Sequence, residues 1–199
     1  YYENGKLKSL VNFKNGNVDG NYKIYSEFGV LKEEGVIANE EKNGPIKIYD
    51  EAGYLKYESY YENNNLNGVF TKYFSDGNVE KKVRFVDGEK EGEETVYFRD
   101  GSVSKRTNYK EGKRQGKFES LFRNGNMYKE GMYEDDDPIG QWKTYYRDGN
   151  IHKLYELDNR GRLTGPYKET DRDGDLNSKI TYRKGEPISY KFSHKSGTV

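Results

Sequence analysis

Apolar side chains recur along this chain in columns with a period of 24 residues, separated by polar positions and glycine. One aliphatic column follows each turn: Leu7, Leu31, Leu55, Val79, Val103, Met127, Ile151 and Leu176. Six positions later comes a second: Phe13, Ile37, Tyr61, Phe85, Tyr109, Tyr133, Leu157 and Tyr182. A third column holds Tyr22, Ile46, Phe70, Phe118, Trp142 and Tyr167, and Glu94 breaks it. Two glycine series punctuate these columns. The first is Gly5, Gly29, Gly53, Gly77, Gly101, Gly125, Gly149 and, after one extra residue, Gly174; the second runs from Gly20 through Gly44, Gly68, Gly92, Gly116 and Gly140 to Gly165. Self-similarity at such a period marks a repeat architecture in which each small unit buries its apolar side against its neighbours.

No helical period competes over any ten residues. Asn4-Gly5, Asp76-Gly77, Asp100-Gly101, Asn124-Gly125, Asp148-Gly149 and Asp173-Gly174 sit between runs of β-formers. Such dipeptides are strong hairpin signals, because both residues of a two-residue turn take positive φ. The expected fold is therefore all-β: an elongated single-layer antiparallel meander of about sixteen short strands. Eight hairpin repeats are expected at 1–24, 25–48, 49–72, 73–96, 97–120, 121–144, 145–169 and 170–193, with a C-terminal stub or cap at 194–199. Taking Asp76-Gly77 as the two loop residues, Phe74 opposes Val79 and Tyr73 opposes Glu80, with a longer polar loop at Asp87 to Gly92. Alternation along a strand then gathers Val79, Lys81, Val83, Phe85, Phe70 and Gly68 on one face. The second apolar column lies beside the second glycine series, so that each ring covers a residue without a side chain.

The opposite face is expected to carry Tyr1, Tyr25, Tyr49, Tyr73, Tyr97 and Tyr145, interrupted by Leu121 and Thr170. Two residues further on the chain reads Glu3, Glu27, Glu51, Ser75, Arg99, Arg123, Arg147 and Arg172. Lys8, Lys32 and Lys56 fall diagonally across the turn from the three glutamates, within pairing reach. This stripe has two readings. Tyrosine rings can shield backbone on a solvated face, or Tyr25, Tyr49, Tyr73, Tyr97 and Tyr145, flanked by Arg99, Arg123 and Arg147, can meet a ligand.

Composition changes the picture in one respect. Hydrophobic residues are 32% and charged residues 34%, a balance that suggests disorder in an aperiodic chain. The 20 tyrosines fall in register and supply apolar area with a polar tip, which suits a thin ordered structure. Formal charge is balanced overall, −5 over residues 1–98 and +5 over residues 99–199, which argues against nucleic acid as the partner. The basic clusters Lys105-Arg106, Lys113-Arg114 and Arg160 to Arg162 are accompanied by acids. No apolar run approaches the ~18 residues of a membrane span. No secretory leader is visible, and the chain begins at Tyr1 within a repeat.

Chemistry is sparse. Without cysteine there is no disulfide framework or thiolate site. His152 and His194 lie in different units, far from the arrangement a zinc site or a catalytic triad needs. Neighbouring acids such as Glu33-Glu34 point to opposite faces of a strand. The acidic turns Glu134 to Asp137 and Asp171 to Asp175 do not match calcium-loop spacing. The expectation is a chain that is not an enzyme and uses no metal or cofactor.

Strings such as YYENGKLKSLVNFKNGNVDGNYKIY and YFRDGSVSKRTNYKEGKRQGKFES resemble the bacterial variant of the MORN (membrane occupation and recognition nexus) repeat. That unit is a Tyr-rich hairpin with Asn/Asp-Gly at the turn, an apolar residue two positions later and a Gly-x-aromatic step. The resemblance covers residues 1–193, with departures at Phe28, Ala38 to Glu40, Asp135 to Pro138 and Ser189. It implies a non-catalytic interaction surface for a protein partner, a toxin or a surface protein. It further implies an antitoxin or immunity role, or a surface- or envelope-associated one, with an extracytoplasmic place favoured over a cytoplasmic one. A glycan- or wall-binding use of the tyrosine stripe is the alternative.

Overall fold

The computed structural model describes residues 1–192; the expected stub at 194–199 lies outside them. The chain divides into two compact units, Tyr1–Gly101 and Ser102–Val199. The first holds β1 (Ser9–Lys14), β2 (Asn17–Tyr25), β3 (Leu31–Ala38), β4 (Glu41–Tyr49), β5 (Leu55–Glu62), β6 (Asn65–Leu66), β7 (Gly68–Tyr73), β8 (Val79–Val86) and β9 (Glu89–Tyr97). The second holds β10 (Val103–Lys110), β11 (Lys113–Leu121), β12 (Met127–Glu134), β13 (Asp137–Tyr145), β14 (Ile151–Leu157), β15 (Leu163–Thr170), β16 (Leu176–Arg183) and β17 (Glu186–Phe192). Within each unit the strands pair antiparallel in chain order, and no helix occurs among the described residues. The expected sixteen strands become seventeen because β6 and β7 are one strand interrupted at Asn67, whose amide bonds the Tyr60 carbonyl at 2.8 Å.

The two turn types are exchanged relative to the expectation. Two-residue hairpins close at Asn15-Gly16, Asn39-Glu40, Asn63-Asn64, Asp87-Gly88, Glu111-Gly112, Asp135-Asp136 and Lys184-Gly185, where both residues have positive φ. Asn and Asp tolerate that left-handed conformation better than other side chains. At Asp76-Gly77 only Gly77 has positive φ, and the loop runs five residues, from Phe74 to Asn78. The Gly77 amide bonds the Phe74 carbonyl at 3.0 Å, the Phe74 amide bonds the Asn78 carbonyl at 2.8 Å, and the Asp76 carboxylate accepts the Asn78 amide at 3.1 Å. Asp-Gly suits both turns, since a type I turn also favours Gly at its last position.

The register corrects accordingly. Tyr73 opposes Val79, and a bulge separates that pair from Lys72 opposite Lys81. Tyr25 opposes Leu31, Tyr49 opposes Leu55 and Tyr145 opposes Ile151 in the same way. The tyrosine and first aliphatic columns, expected on opposite faces, are thus cross-strand neighbours. Lys8, Lys32 and Lys56 consequently make no ion pair with Glu3, Glu27 or Glu51; the Lys8 ammonium lies 5.6 Å from the Tyr2 ring instead. The second glycine series opposes the second apolar column as expected: Gly20 faces Ile37, Gly44 Tyr61, Gly68 Phe85, Gly116 Tyr133, Gly140 Leu157 and Gly165 Tyr182.

The extra residue in the seventh repeat falls at residues 158–162. There a five-residue loop replaces the two-residue turn, closed by Leu157 opposite Leu163. The Asp158 carboxylate accepts the Arg160 and Arg162 amides at 2.9 and 3.0 Å and the Arg162 guanidinium at 2.8 Å. Those bonds, the guanidinium's first, hold its carboxyl down at about 2.

In both units the core is a spine of large residues, several of which oppose small ones across the ladder, although Trp142 opposes Tyr155 and Tyr167 opposes Ile180. Tyr22 and Ile46 flank Gly35, Ile46 faces Ser59, Phe70 faces Val83, and Phe118 faces Thr107 and Gly131. Trp142 is 1% exposed, with ring centroids 5.6 Å from Phe118 and 5.3 Å from Tyr133. The small partner leaves room for the ring beside it, so one sheet layer buries large side chains without a second layer, each contributing roughly 1.5–3 kcal/mol.

Candidate functional site

Three members of the tyrosine column are hydrogen-bonded to carboxylates on the strand beside them. The hydroxyls of Tyr49, Tyr73 and Tyr145 donate to Glu34, Glu58 and Glu130 at 2.7, 2.5 and 2.6 Å, each carboxylate standing 15 residues earlier in the chain. At that spacing Tyr25 has Leu10 and Tyr97 has Lys82, so the motif is absent there. The Tyr25 carbonyl instead accepts the Tyr2 hydroxyl at 2.6 Å, and Tyr97 is half-buried at the end of β9. Glu34 and Glu130 also meet Lys23 and Lys143 at 3.2 and 3.3 Å.

Burial, followed by the carboxylate beside each hydroxyl, raises Tyr49, Tyr73 and Tyr145 from 10.0 to about 12. Their hydroxyls in turn hold Glu34 and Glu130 below the ordinary carboxylate range. A raised tyrosine contributes stability that is complete below its unfolded value, near pH 10, and disappears as pH rises through about 12. A lowered glutamate contributes above its ordinary value of 4.5 and is lost as pH falls through its folded value. Tyrosinate absorbance should therefore show a late fraction titrating together with the loss of β-sheet circular dichroism. Combining Tyr49→Phe, Tyr73→Phe and Tyr145→Phe should shrink that fraction to the part owed to Tyr22 and Tyr155, which burial also raises; an unchanged alkaline curve would refute the pairing.

The arginines lie on the rim that the five-residue turns form in each unit. All three predicted ones, Arg99, Arg123 and Arg147, are exposed, as is Arg172. Each of three guanidiniums rests on an aromatic ring of the preceding turn: Arg99 on Phe74 at 5.2 Å, Arg147 on Phe122 at 5.7 Å and Arg172 on Tyr146 at 5.9 Å. Arg99 also pairs with Asp76 at 3.4 Å. Asparagine side chains bind successive turns together, Asn78 to the Arg99 carbonyl at 3.1 Å, Asn126 to that of Arg147 at 2.9 Å and Asn150 to that of Arg172 at 2.7 Å. These aromatic and asparagine partners escaped the sequence reading. Their signal is the offset of 25 or 26 residues between each ring and the arginine it supports.

The opposite rim stacks through backbone bonds, such as the Gly88 amide to the Leu66 carbonyl and the Gly185 amide to the Leu163 carbonyl, both at 2.8 Å. The acidic turns are used internally. Asp136 accepts the Arg114 guanidinium at 3.0 Å, and Asp171 accepts the amides of Asp173 and Asp175 at 3.0 Å each. His152 stacks on Tyr146, with ring centroids 4.4 Å apart, and meets Glu169 at 3.2 Å; His194 lies outside the described residues. Among the described residues, no group of three or more His, Asp or Glu side chains is placed to hold a metal ion, and no helix is long and apolar enough to cross a membrane.

No curated protein matches the chain. Among solved structures, a porin-like protein from Bacteroides uniformis ATCC 8492 is similar at 12% identity over 93% of this chain and 96% of that one. Its TM-score of 0.23 is too low to carry an argument. The model of the MORN repeat variant matches residues 1–15, 18–39, 66–87, 90–111 and 138–159, more than half of the chain. With the hairpin period and the turn chemistry already described, the match assigns this protein to a family: the chain belongs to the MORN repeat variants.

Proposed function

We propose that the protein is a non-catalytic protein-binding module whose contact surface is the rim of stacked five-residue turns in the Ser102–Val199 unit. MORN repeats make it a repeat-based interaction module. The observation that supports the rim is the pair of guanidiniums resting on Phe122 and Tyr146. Arginine and aromatic residues dominate interface hot spots, and a guanidinium already held on a ring loses less freedom when it binds. Successive turns stand two strands apart, about 9.5 Å, so the rim offers evenly spaced donors to a protein surface.

A toxin or a surface protein is the partner this reading favours, with the chain as its antitoxin, immunity or surface-associated binder. The glycan alternative rests on the tyrosine column, where the hydroxyls of Tyr49, Tyr73 and Tyr145 are already spent on glutamates. The test compares proteins retained by the wild-type chain and by a variant combining Arg123→Ala, Arg147→Ala and Arg172→Ala, with circular dichroism confirming the fold. Loss of a specific partner from the variant is expected. Equal retention by both proteins, or tight glycan-array binding in place of any protein, would sink the proposal.

A further inference from the structure

A second surface lies in the Ser102–Val199 unit, on the face that carries the aromatic spine. Lysines recur there at the repeat period, Lys105, Lys129 and Lys153. The ladder sets them in one row: Lys105 faces Ser120, Ser120 faces Lys129, Lys129 faces Thr144, and Thr144 faces Lys153. Glu169 faces Lys153 and ends the row, with their charged groups 4.0 Å apart. Lysines on alternate strands stand about 9.5 Å apart, and the row spans about 19 Å.

Beside this row runs an open groove of about 490 Å³, lined by Tyr133, Trp142, Tyr155, Tyr167 and the two lysines Lys129 and Lys153. Tyr155 and Tyr167 stack with centroids 5.8 Å apart. The Lys129 ammonium sits 4.8 Å from the centre of the Trp142 ring, and burial lowers its affinity for a proton. The Thr144 hydroxyl between the two lysines is buried without a hydrogen-bond partner. Neither Lys105 nor Lys129 faces a carboxylate at ion-pair distance among the described residues.

A row of cations at that spacing beside an aromatic groove matches a polyproline II segment. A polyproline II helix has three residues per turn and rises about 3.1 Å per residue, so every third side chain points the same way about 9.3 Å further on. A β-strand cannot do this, because its side chains alternate with a period of two. Polyproline II ligands also dock in aromatic-lined grooves. We propose that this face binds an extended, proline-rich peptide segment carrying a carboxylate at every third position. The carboxylates meet Lys105, Lys129 and Lys153, and the prolines pack on Tyr133, Tyr155 and Tyr167. This rests on the reading of the chain as a protein-binding module and adds a surface separate from the turn rim.

Calorimetry on the full chain tests it with two peptides of identical composition, one repeating Glu-Pro-Pro and one gathering all its glutamates at one end. The periodic peptide should bind about tenfold more tightly, as expected when a few surface ion pairs are aligned or not. Combining Lys105→Gln, Lys129→Gln and Lys153→Gln should abolish that preference, whereas the Arg123→Ala, Arg147→Ala and Arg172→Ala variant should keep it. Equal affinity for both peptides, binding of neither, indifference to the lysine substitutions, or tighter binding of a polygalacturonate oligomer would each overturn the proposal. Peptide failure with rim-dependent capture intact refutes this inference alone; the reverse refutes only the rim.

Discussion

Replacing Gly131 with valine is expected to destabilise the β12–β13 hairpin by about 3 kcal/mol, as overpacking of a filled site does. The cause is steric and not conformational, since Gly131 does not require positive φ. A Cβ at this position would lie 2.2 Å from Cδ2 of Trp142 and 2.4 Å from Cε2, inside the ring's own volume. The indole cannot retreat easily: Phe118 and Tyr133 enclose it, and its Nε1 donates to the Ile139 carbonyl at 3.1 Å. Gly35 supplies the milder case. There the nearest contact is the tip of Ile46, Cδ1 at 2.4 Å, which can swing aside more readily than a ring.

Trp142 is the chain's sole tryptophan, so its fluorescence during urea denaturation reports on its own hairpin. That locality matters because a repeat array need not unfold in one step. Trp142→Ala removes that reporter, so amide exchange over β12 and β13 follows the variants that lack the indole; alone it should cost about 3–5 kcal/mol through the cavity it leaves. Together with Gly131→Val, the added methyl groups fill part of that cavity, so the combined loss should fall below the sum of the single losses. Strict additivity, or a Gly131→Val protein as stable as the parent, would mean that the ring does not occupy the space above the glycine.

The large members of this spine were legible in the chain, and the small ones were not. Tyr22, Ile46, Phe70, Phe118, Trp142 and Tyr167 stand out because size and spacing recur together. The partners of the first four, Gly35, Ser59, Val83, Thr107 and Gly131, share only a lack of bulk, and no propensity rule marks that, whereas Trp142 and Tyr167 oppose Tyr155 and Ile180. The meander was readable because glycines at fixed intervals stop each strand. Its turn geometry was not, because Asp-Gly serves a two-residue turn and the end of a five-residue loop equally well. That ambiguity moved the register by one residue and misplaced the tyrosine column relative to Val79 and its equivalents. The arginines were singled out correctly as exposed, but their support by rings in the preceding turn depends on how turns stack, which is not encoded in any one unit. Glu34, Glu58 and Glu130 as tyrosine partners need the pairing of neighbouring strands to become visible.

Glu94 is the interruption in the spine, and substitutions around it should act with opposite signs. It occupies the position that Phe70 and Phe118 fill in adjacent repeats, yet it is only 4% exposed. Two ammonium groups make that burial tolerable, Lys90 at 2.7 Å and Lys81 at 3.7 Å, with the Lys81 ammonium also 5.7 Å from the Phe70 ring. Removing both cations with Lys81→Met and Lys90→Met should cost about 3–5 kcal/mol, because an isolated buried carboxylate keeps its full desolvation penalty. Glu94→Phe should do the reverse and raise stability by about 1–2 kcal/mol, since a well-packed apolar side chain commonly outperforms a buried ion pair. The decisive protein carries all three changes: with Phe at position 94 the two lysines have no buried Glu94 charge to neutralise, so the loss caused by removing them should shrink markedly. Amide exchange over β8 and β9 would measure each variant locally. If Lys81→Met and Lys90→Met were equally damaging with Glu94 and with Phe in its place, the lysines would be acting through their aliphatic stems, and the electrostatic account of this position would be wrong.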